Sequence, residues 1–293
     1  MVVHNLCNYN MRRTYVTFAQ GDLYTELADI LVDSIGEFSK YPIVVYNSSD
    51  FEEKWEPENW KSGYSYKFKI LSCLKALREY DEIVWLDNDI VVTKHIDDIW
   101  KHKIDNYPLL PMHRFYNFIR WPHYKINYSN PNELFDGKLR VCLNHTDFDG
   151  EYYQACAMLL NKNCESFIMD ILSYFNDYDN ISFPCGDETI INLLLWKYKY
   201  RKNLGDIFIC SYYFSIYHII KALSTEDIQE YQNIFNLGII DHSEDNLFLY
   251  GGGDYRLHNR IGIINAGNKL LFAHGSKSKD EHKYILDHLK SIK

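Results

Sequence analysis

Asp87 and Asp89 stand either side of Asn88, directly after Ile83-Val84-Trp85-Leu86, and are the residues of this chain best placed to do chemistry. Four apolar residues predict a buried strand, and a second apolar run, Ile90-Val91-Val92, resumes after the interruption. Burying charge is expensive unless something compensates it, so a core strand that ends in two carboxylates asks for a cation. On an extended backbone, residues i and i+2 project to the same side, which would let both carboxylates face one metal ion. Hard oxygen ligands of this kind suit Mg²⁺ or Mn²⁺, whose shells are completed by water and phosphate oxygens. The expectation is a metal-bridged diphosphate site.

Such a site needs elements to carry it. Tyr15 to Ala19 reads as a first strand, followed by a helical pattern in which Leu23, Leu27, Ile30, Leu31, Ile35 and Phe38 share a face. Tyr41 to Asn47 gives a second strand, residues 48–62 a surface connection, and Ser65 to Glu79 a second helix with Ile70, Leu71, Leu74 and Leu77 inward. That helix delivers the chain into the strand that ends at Asp87. Strand, helix, strand, helix, strand predicts a mostly parallel sheet with helices on its faces. Ligands of such sheets bind beyond the carboxyl ends of the strands, where both the loop after Ala19 and the Asp87–Asp89 pair fall. Further on, residues 105–150 read as an irregular excursion, Tyr153 to Leu160 as a strand, and Glu165 to Phe175 and Glu188 to Lys197 as helices. Residues 224–260 read as a long insertion whose Gly251-Gly252-Gly253 is a turn, since no helix pattern follows it for a phosphate to sit on.

At 293 residues the chain is long enough for a sizeable core, and 46% apolar with 24% charged residues is ordinary for a globular protein. Forty acidic against 31 basic side chains give −9, which argues against a nucleic-acid backbone as partner. Seven scattered cysteines without a CxxC pair point to a reducing compartment, with Cys73, Cys156 and Cys210 read as small buried residues. No apolar run reaches the length of a membrane span and no leader pattern opens the chain, so a cytoplasmic location is expected. The 25 tyrosines suit a sugar site, although enrichment in Tyr, Asn, Ile and Lys is also what an AT-rich genome produces.

Taken together these residues resemble a GT-A glycosyltransferase, specifically the glycosyltransferase family 8 group that includes glycogenin. Asp87-Asn88-Asp89 is similar to its DxD signature, and Val16 to Tyr24 (VTFAQGDLY) to its uridine-contacting strand and loop. Tyr153-Gln154-Ala155-Cys156-Ala157 resembles the strand that touches the donor sugar, Gly186-Asp187-Glu188-Thr189-Ile190-Ile191-Asn192 the G-D-Q-x-x-x-N segment, and His274-Gly275-Ser276-Lys277 the closing element. The resemblance implies a nucleotide-diphospho-sugar transferase fold in one domain over 1–293, with a Rossmann-like, mostly parallel sheet. About 14–104 would bind the nucleotide sugar and about 105–277 the acceptor. It implies Asp87, Asp89 and His274 as metal ligands, with Mn²⁺ as cofactor or Mg²⁺ in its place. Phe18, Gln20, Tyr24, Lys67, Asn88 and Lys277 would bind the donor, and Gln154, Asp187 and Glu188 would form the catalytic group. The reaction implied is transfer from a UDP-sugar to a carbohydrate or protein hydroxyl with retention, in a protein compatible with a homodimer.

Two departures stand out. His274 directly precedes Gly275, where the family spaces the two, and Ser278-Lys279 replaces the family's Pro-Trp. Glu188 replaces the family's Gln and puts a carboxylate near the reacting carbon. Each residue also has a plainer reading: the two aspartates as a polar loop, His274 as one of 12 histidines, Lys67 and Lys69 as solvated cations. Asp187 and Glu188 equally suit the first turn of a helix, where the dipole favours acids. Two other functions fit parts of the chain. Leu86-Asp87-Asn88-Asp89-Ile90-Val91 matches the opening of a haloacid-dehalogenase-type phosphatase, which carries it on the first core strand. A catalytically inactive sugar-nucleotide-binding relative would keep the site without turnover.

Overall fold

A computed structural model of the chain describes residues 11–53, 64–92, 96–111, 153–177, 187–200 and 272–274, with single positions near 202–204 and 280–290. The expected helices and strands of the first third are present: β1 (Arg13–Phe18), α1 (Asp22–Phe38), β2 (Ile43–Tyr46), α2 (Tyr64–Glu79) and β3 (Glu82–Leu86). They continue with β4 (Ile90–Val92), β5 (Ala157–Asn161), α3 (Glu165–Asp177), α4 (Asp187–Lys197) and β6 (Phe272–His274). The excursion from 112, the insertion over 224–260, Cys210 and Lys277 lie outside the described residues.

The main sheet has the order β2-β1-β3-β5. β1 pairs in parallel with β2 and β3, and β5 closes the far side antiparallel, with Leu86 opposite Ala157. The architecture is thus the mixed α/β one expected, with a mostly parallel sheet between helices. Strand alternation splits its side chains in two. Val16, Ile83, Trp85, Met158 and Leu160 join one core with Ile70, Cys73, Ala76 and Leu77 of α2 and with α3 and α4. Tyr15, Val84, Leu86, Ala157 and Leu159 join the other with Leu31 and Ile35 of α1. From β1 the chain moves one way to β2 and then back across β1 to β3. Right-handed crossovers then place α1 and α2 on opposite faces, as seen. The reversal of direction opens a crevice at the carboxyl ends of β1 and β3, where α/β sheets take ligands.

Two details shape that edge. Gly21, between β1 and α1, has φ 81 and ψ 162, a conformation open essentially to glycine alone, and it aims α1 away from the strand end. After Leu86 the backbone does not stay extended: Asn88 and Asp89 form a turn that carries the chain out of the main sheet into β4. The i, i+2 argument for Asp87 and Asp89 therefore gives way to a turn, and their relation is set by the turn. β4 pairs antiparallel with β6, His274 opposite Ile90, and is tied to α1 by the Val92 amide, which donates to Ser34 Oγ at 3.2 Å. Among the described residues no helix is long and apolar enough to cross a membrane.

Candidate active site

Five pieces of chain meet at the carboxyl edge of β1 and β3: the end of β1, the turn after β3, the start of α2, the segment 153–156 that enters β5, and the start of α4. Lys69 ties four of them. It lies on α2 in one buried stripe with Ser72, Cys73 and Ala76, and only 6% of it is exposed. Its Nζ donates to Asp87 Oδ1 at 2.9 Å and to the Ala155 carbonyl at 2.6 Å, and stands 2.8 Å from Asp187 Oδ2. Burial alone would strip the proton from this ammonium, but the charges of Asp187 and Asp87 outweigh it and raise its pKa, so Lys69 is a fixed cation.

Asp187 is the most enclosed carboxylate of the group, 3% exposed at the first turn of α4. Burial raises its pKa, Lys69 pulls the other way, and the charge of Asp87 adds to the rise. The contact of its Oδ2 with Lys69 is an ion contact off the hydrogen-bond angle, so this buried oxygen accepts no well-directed hydrogen bond. Asp87 is held from three sides. Its amide donates to the Cys156 carbonyl at 2.8 Å, while Trp85 Nε1, at 2.7 Å, and Lys69 both donate to its Oδ1.

The segment 153–156 carries Gln154 and is held in part by side chains of α4. Asn192, fully buried on α4, accepts the Tyr153 amide on Oδ1 and donates from Nδ2 to the Tyr153 carbonyl, both at 2.8 Å. Its Nδ2 also donates to the Glu188 carbonyl. One turn earlier Glu188 Oε2 accepts the Ala155 amide at 3.0 Å. Gln154 itself is 8% exposed, and its amide donates to the Pro111 carbonyl.

The other predicted residues form a second, more aromatic group. Phe18 stacks on Phe68 at 5.1 Å between ring centres, and Phe51 packs edge-on against Phe68 at 5.5 Å. Asn88 reaches back from the turn, its Nδ2 donating to the Phe18 carbonyl at 3.1 Å and to the Tyr24 carbonyl at 3.5 Å, so it stitches the aspartate turn to β1 and α1. Gln20 Oε1 accepts the Ser48 amide at 3.1 Å, and Lys67 pairs with Glu53 at 2.8 Å.

Asp87, Asp187, Glu188 and Gln154 are therefore brought together, and Asn88 joins them to Phe18 and Tyr24. Lys67 turns to Glu53, and Lys69 is the cation among the carboxylates. The signal for Lys69 was its place on the stripe 69, 72, 73, 76, where a lone cation must find a buried partner. Trp85, an apolar strand residue, carries no pattern of its own, and Asn192 enters the sequence reading only as the end of the G-D-Q-x-x-x-N-like segment, without a role. Among the described residues no three His, Cys, Asp or Glu side chains converge into an all-protein metal site. The β4–β6 register does put residue 274 across from Ile90, one position beyond Asp89.

No family model matches the chain, and no curated protein does. Solved glycosyltransferases resemble it in structure. A galactosyltransferase, LgtC, in complex with donor and acceptor sugar analogues is 14% identical over 61% of this chain and 70% of its own, with a TM-score of 0.39. A glycosyltransferase involved in glycosylation of the major capsid of PBCV-1 is 12% identical over 94% and 98%, with a TM-score of 0.47. The bifunctional glycosyltransferase WbbM is 16% identical over 67% of this chain and 39% of its own, with a TM-score of 0.44. Likeness at this level leaves the chemistry to the side chains.

Proposed function

We propose that the chain is a metal-dependent glycosyltransferase of GT-A fold and family 8 type, moving a sugar from a UDP-sugar to a carbohydrate or protein hydroxyl with retention. The observation that carries this reading is the Lys69 cluster, which fixes Asp87 and Asp187 at the mouth of the β1/β3 crevice. Four carboxylates, those of Asp87, Asp89, Asp187 and Glu188, belong to this edge, where Lys69 is the ammonium paired with Asp87 and Asp187 and Lys67 pairs away with Glu53. That excess of negative charge, in hard oxygen donors, suits a divalent ion held by one or two carboxylates and completed by phosphate oxygens. Asp87 and Asp89 would hold it, and His274 as a third ligand would favour Mn²⁺ over Mg²⁺. The ion would supply Lewis-acid stabilisation of the charge on departing UDP.

The chain's own residues would do the rest. Asp187, held at the first turn of α4 by Lys69, would accept a sugar hydroxyl, and Gln154 would orient the same ring. Phe18 and the turn held by Asn88 would seat the nucleoside end, with Gln20 and Tyr24 beside them. Lys67, and Lys277 beyond the described residues, would face the diphosphate. Glu188 already receives the Ala155 amide, a holding role that a Gln oxygen fills equally well. Glu188→Gln should therefore keep most of its transfer rate, and loss of all transfer would restore the carboxylate as nucleophile. The phosphatase alternative is not favoured, because the aspartate strand is third in the chain behind a complete βαβα unit.

The test is Mn²⁺-dependent UDP release across a panel of UDP-sugars, with a phosphomonoester in parallel. Release of UDP that is lost in Asp87→Asn and Asp187→Asn supports the reading. Phosphate release without UDP release overturns it.

A further inference from the structure

Trp85 and Asp87 are two residues apart at the end of β3, and the Trp85 ring lies on the face covered by α2. The indole therefore reaches the carboxylate without a bend in the chain, and Trp85 Nε1 donates to Asp87 Oδ1 over 2.7 Å. The same oxygen accepts from Lys69, whose ammonium stands 5.4 Å from the centre of the Trp85 ring. The ring is 3% exposed and packs in the core between the sheet and α2, a place that phenylalanine or leucine would also fill. Packing explains the ring and leaves the nitrogen unexplained. A buried indole N–H needs an acceptor, and here the acceptor is the proposed metal-binding carboxylate.

We propose that Trp85 is a positioning residue whose N–H fixes the orientation of Asp87 and thereby sets the metal affinity of the site. The inference rests on the metal-dependent reading above. Two donors meet at one oxygen, one on the strand and one on the helix, and so restrict how the carboxylate can turn. Partners of this kind behind a ligand commonly change metal affinity by roughly 10–100-fold when removed. Lys69 alone would leave the carboxylate free to swing about the ammonium, because a Lys head on four methylenes sets distance better than direction.

Trp85→Phe keeps a ring facing Lys69 and removes the N–H. Mn²⁺ titrated into wild-type and variant protein without donor, followed by calorimetry, should show about 10-fold weaker binding in the variant. In turnover, the Mn²⁺ needed for half-maximal rate should rise similarly while kcat at saturating Mn²⁺ stays within about twofold. A merely structural role would lower kcat or stability and leave the Mn²⁺ requirement alone. Equal Mn²⁺ affinity in the two proteins overturns the proposal and leaves the metal reading standing. Absence of Mn²⁺ binding to the wild type overturns both. A measurement on wild-type protein serves should the variant not fold. Of the six indole N–H resonances, one should exchange slowly with solvent and shift on adding Mg²⁺. If none responds to the cation, the proposal falls.

Discussion

Lys67 and Lys69 are two residues apart on α2, both nearly closed to solvent, and they meet opposite surroundings. Lys69 is the more enclosed: its side chain is 7% exposed, that of Asp187 5% and that of Asp87 30%, and it also donates to a backbone carbonyl. Lys67 instead pairs, among the described residues, with Glu53, whose side chain is 38% exposed. A pair whose partner is solvated contributes little, because water competes for both ends. A pair closed on every side becomes indispensable, because removing one member strands the other in a medium that cannot solvate it. The difference separates a scaffold cation from one free to change partners when a ligand arrives.

Removing the scaffold cation should have the largest effect. Lys69→Met leaves Asp187 buried without its counter-charge and should destabilise the protein by about 3–5 kcal/mol, read as a lower urea midpoint. The pH dependence carries the sign of the raised pKa. Stability from this lysine is fully present below its unfolded value of about 10.4 and is lost as pH rises through the higher folded value. The stability gap between wild type and Lys69→Met should therefore narrow above that pH and stay constant between about 6 and 9. A gap under about 1 kcal/mol at neutral pH would place Lys69 with the ordinary surface pairs.

Next in size is the side-chain clamp of Asn192 on the Tyr153 backbone. Asn192→Ala strands the Tyr153 amide and carbonyl and should cost about 1–3 kcal/mol. Hydrogen exchange at Tyr153 should speed up, with the β1–β2 ladder unaffected. If Asn192 acts through Gln154, the double variant with Gln154→Ala should lose no more UDP release than Gln154→Ala alone. Additive losses would separate the two residues. Gly21→Ala, on the aromatic side, forces φ 81 on a residue with a side chain and should cost about 1–3 kcal/mol. A Cβ there meets nothing within 4 Å, so strain and not collision is the cause. An unchanged midpoint would mean that the turn relaxes.

How far the sequence foretold this depends on the kind of residue. The first third was legible element by element, because its helices and strands each bury one face and so write their period into the chain. Asp87 was legible because charge at the end of an apolar run is conspicuous, and Asp187 and Glu188 because their segment resembles G-D-Q-x-x-x-N and opens a helix. Lys69 was half legible: its type stood out beside Lys67, but the choice depended on which of two stripes faces the carboxylates, a matter of how α2 is rolled on the sheet. The turn at Asn88-Asp89 was hidden, since Asp-Asn-Asp inside an apolar run suits an extended strand as well as a turn. Trp85 was silent, because its role rests on one hydrogen bond and on no local pattern, whereas Asn192 stood in the quoted segment without a role that the pattern could tell.

The smallest stability effect should fall on the other lysine, and it sharpens the comparison most. Lys67→Ala removes a pair whose acid is partly exposed, so stability read from the urea midpoint should fall by less than about 1 kcal/mol. On the proposed reading Lys67 exchanges Glu53 for a donor phosphate, so the same variant should raise the KM for the UDP-sugar while its Mn²⁺ affinity holds. Glu53→Gln should do the reverse and lower KM, because it frees the cation without removing it. The two substitutions break the same ion pair and are expected to move KM in opposite directions. That result belongs to a cation that changes partners. If both raise KM alike, the pair is holding the loop after β2, and Lys67 is scaffold in the same sense as Lys69.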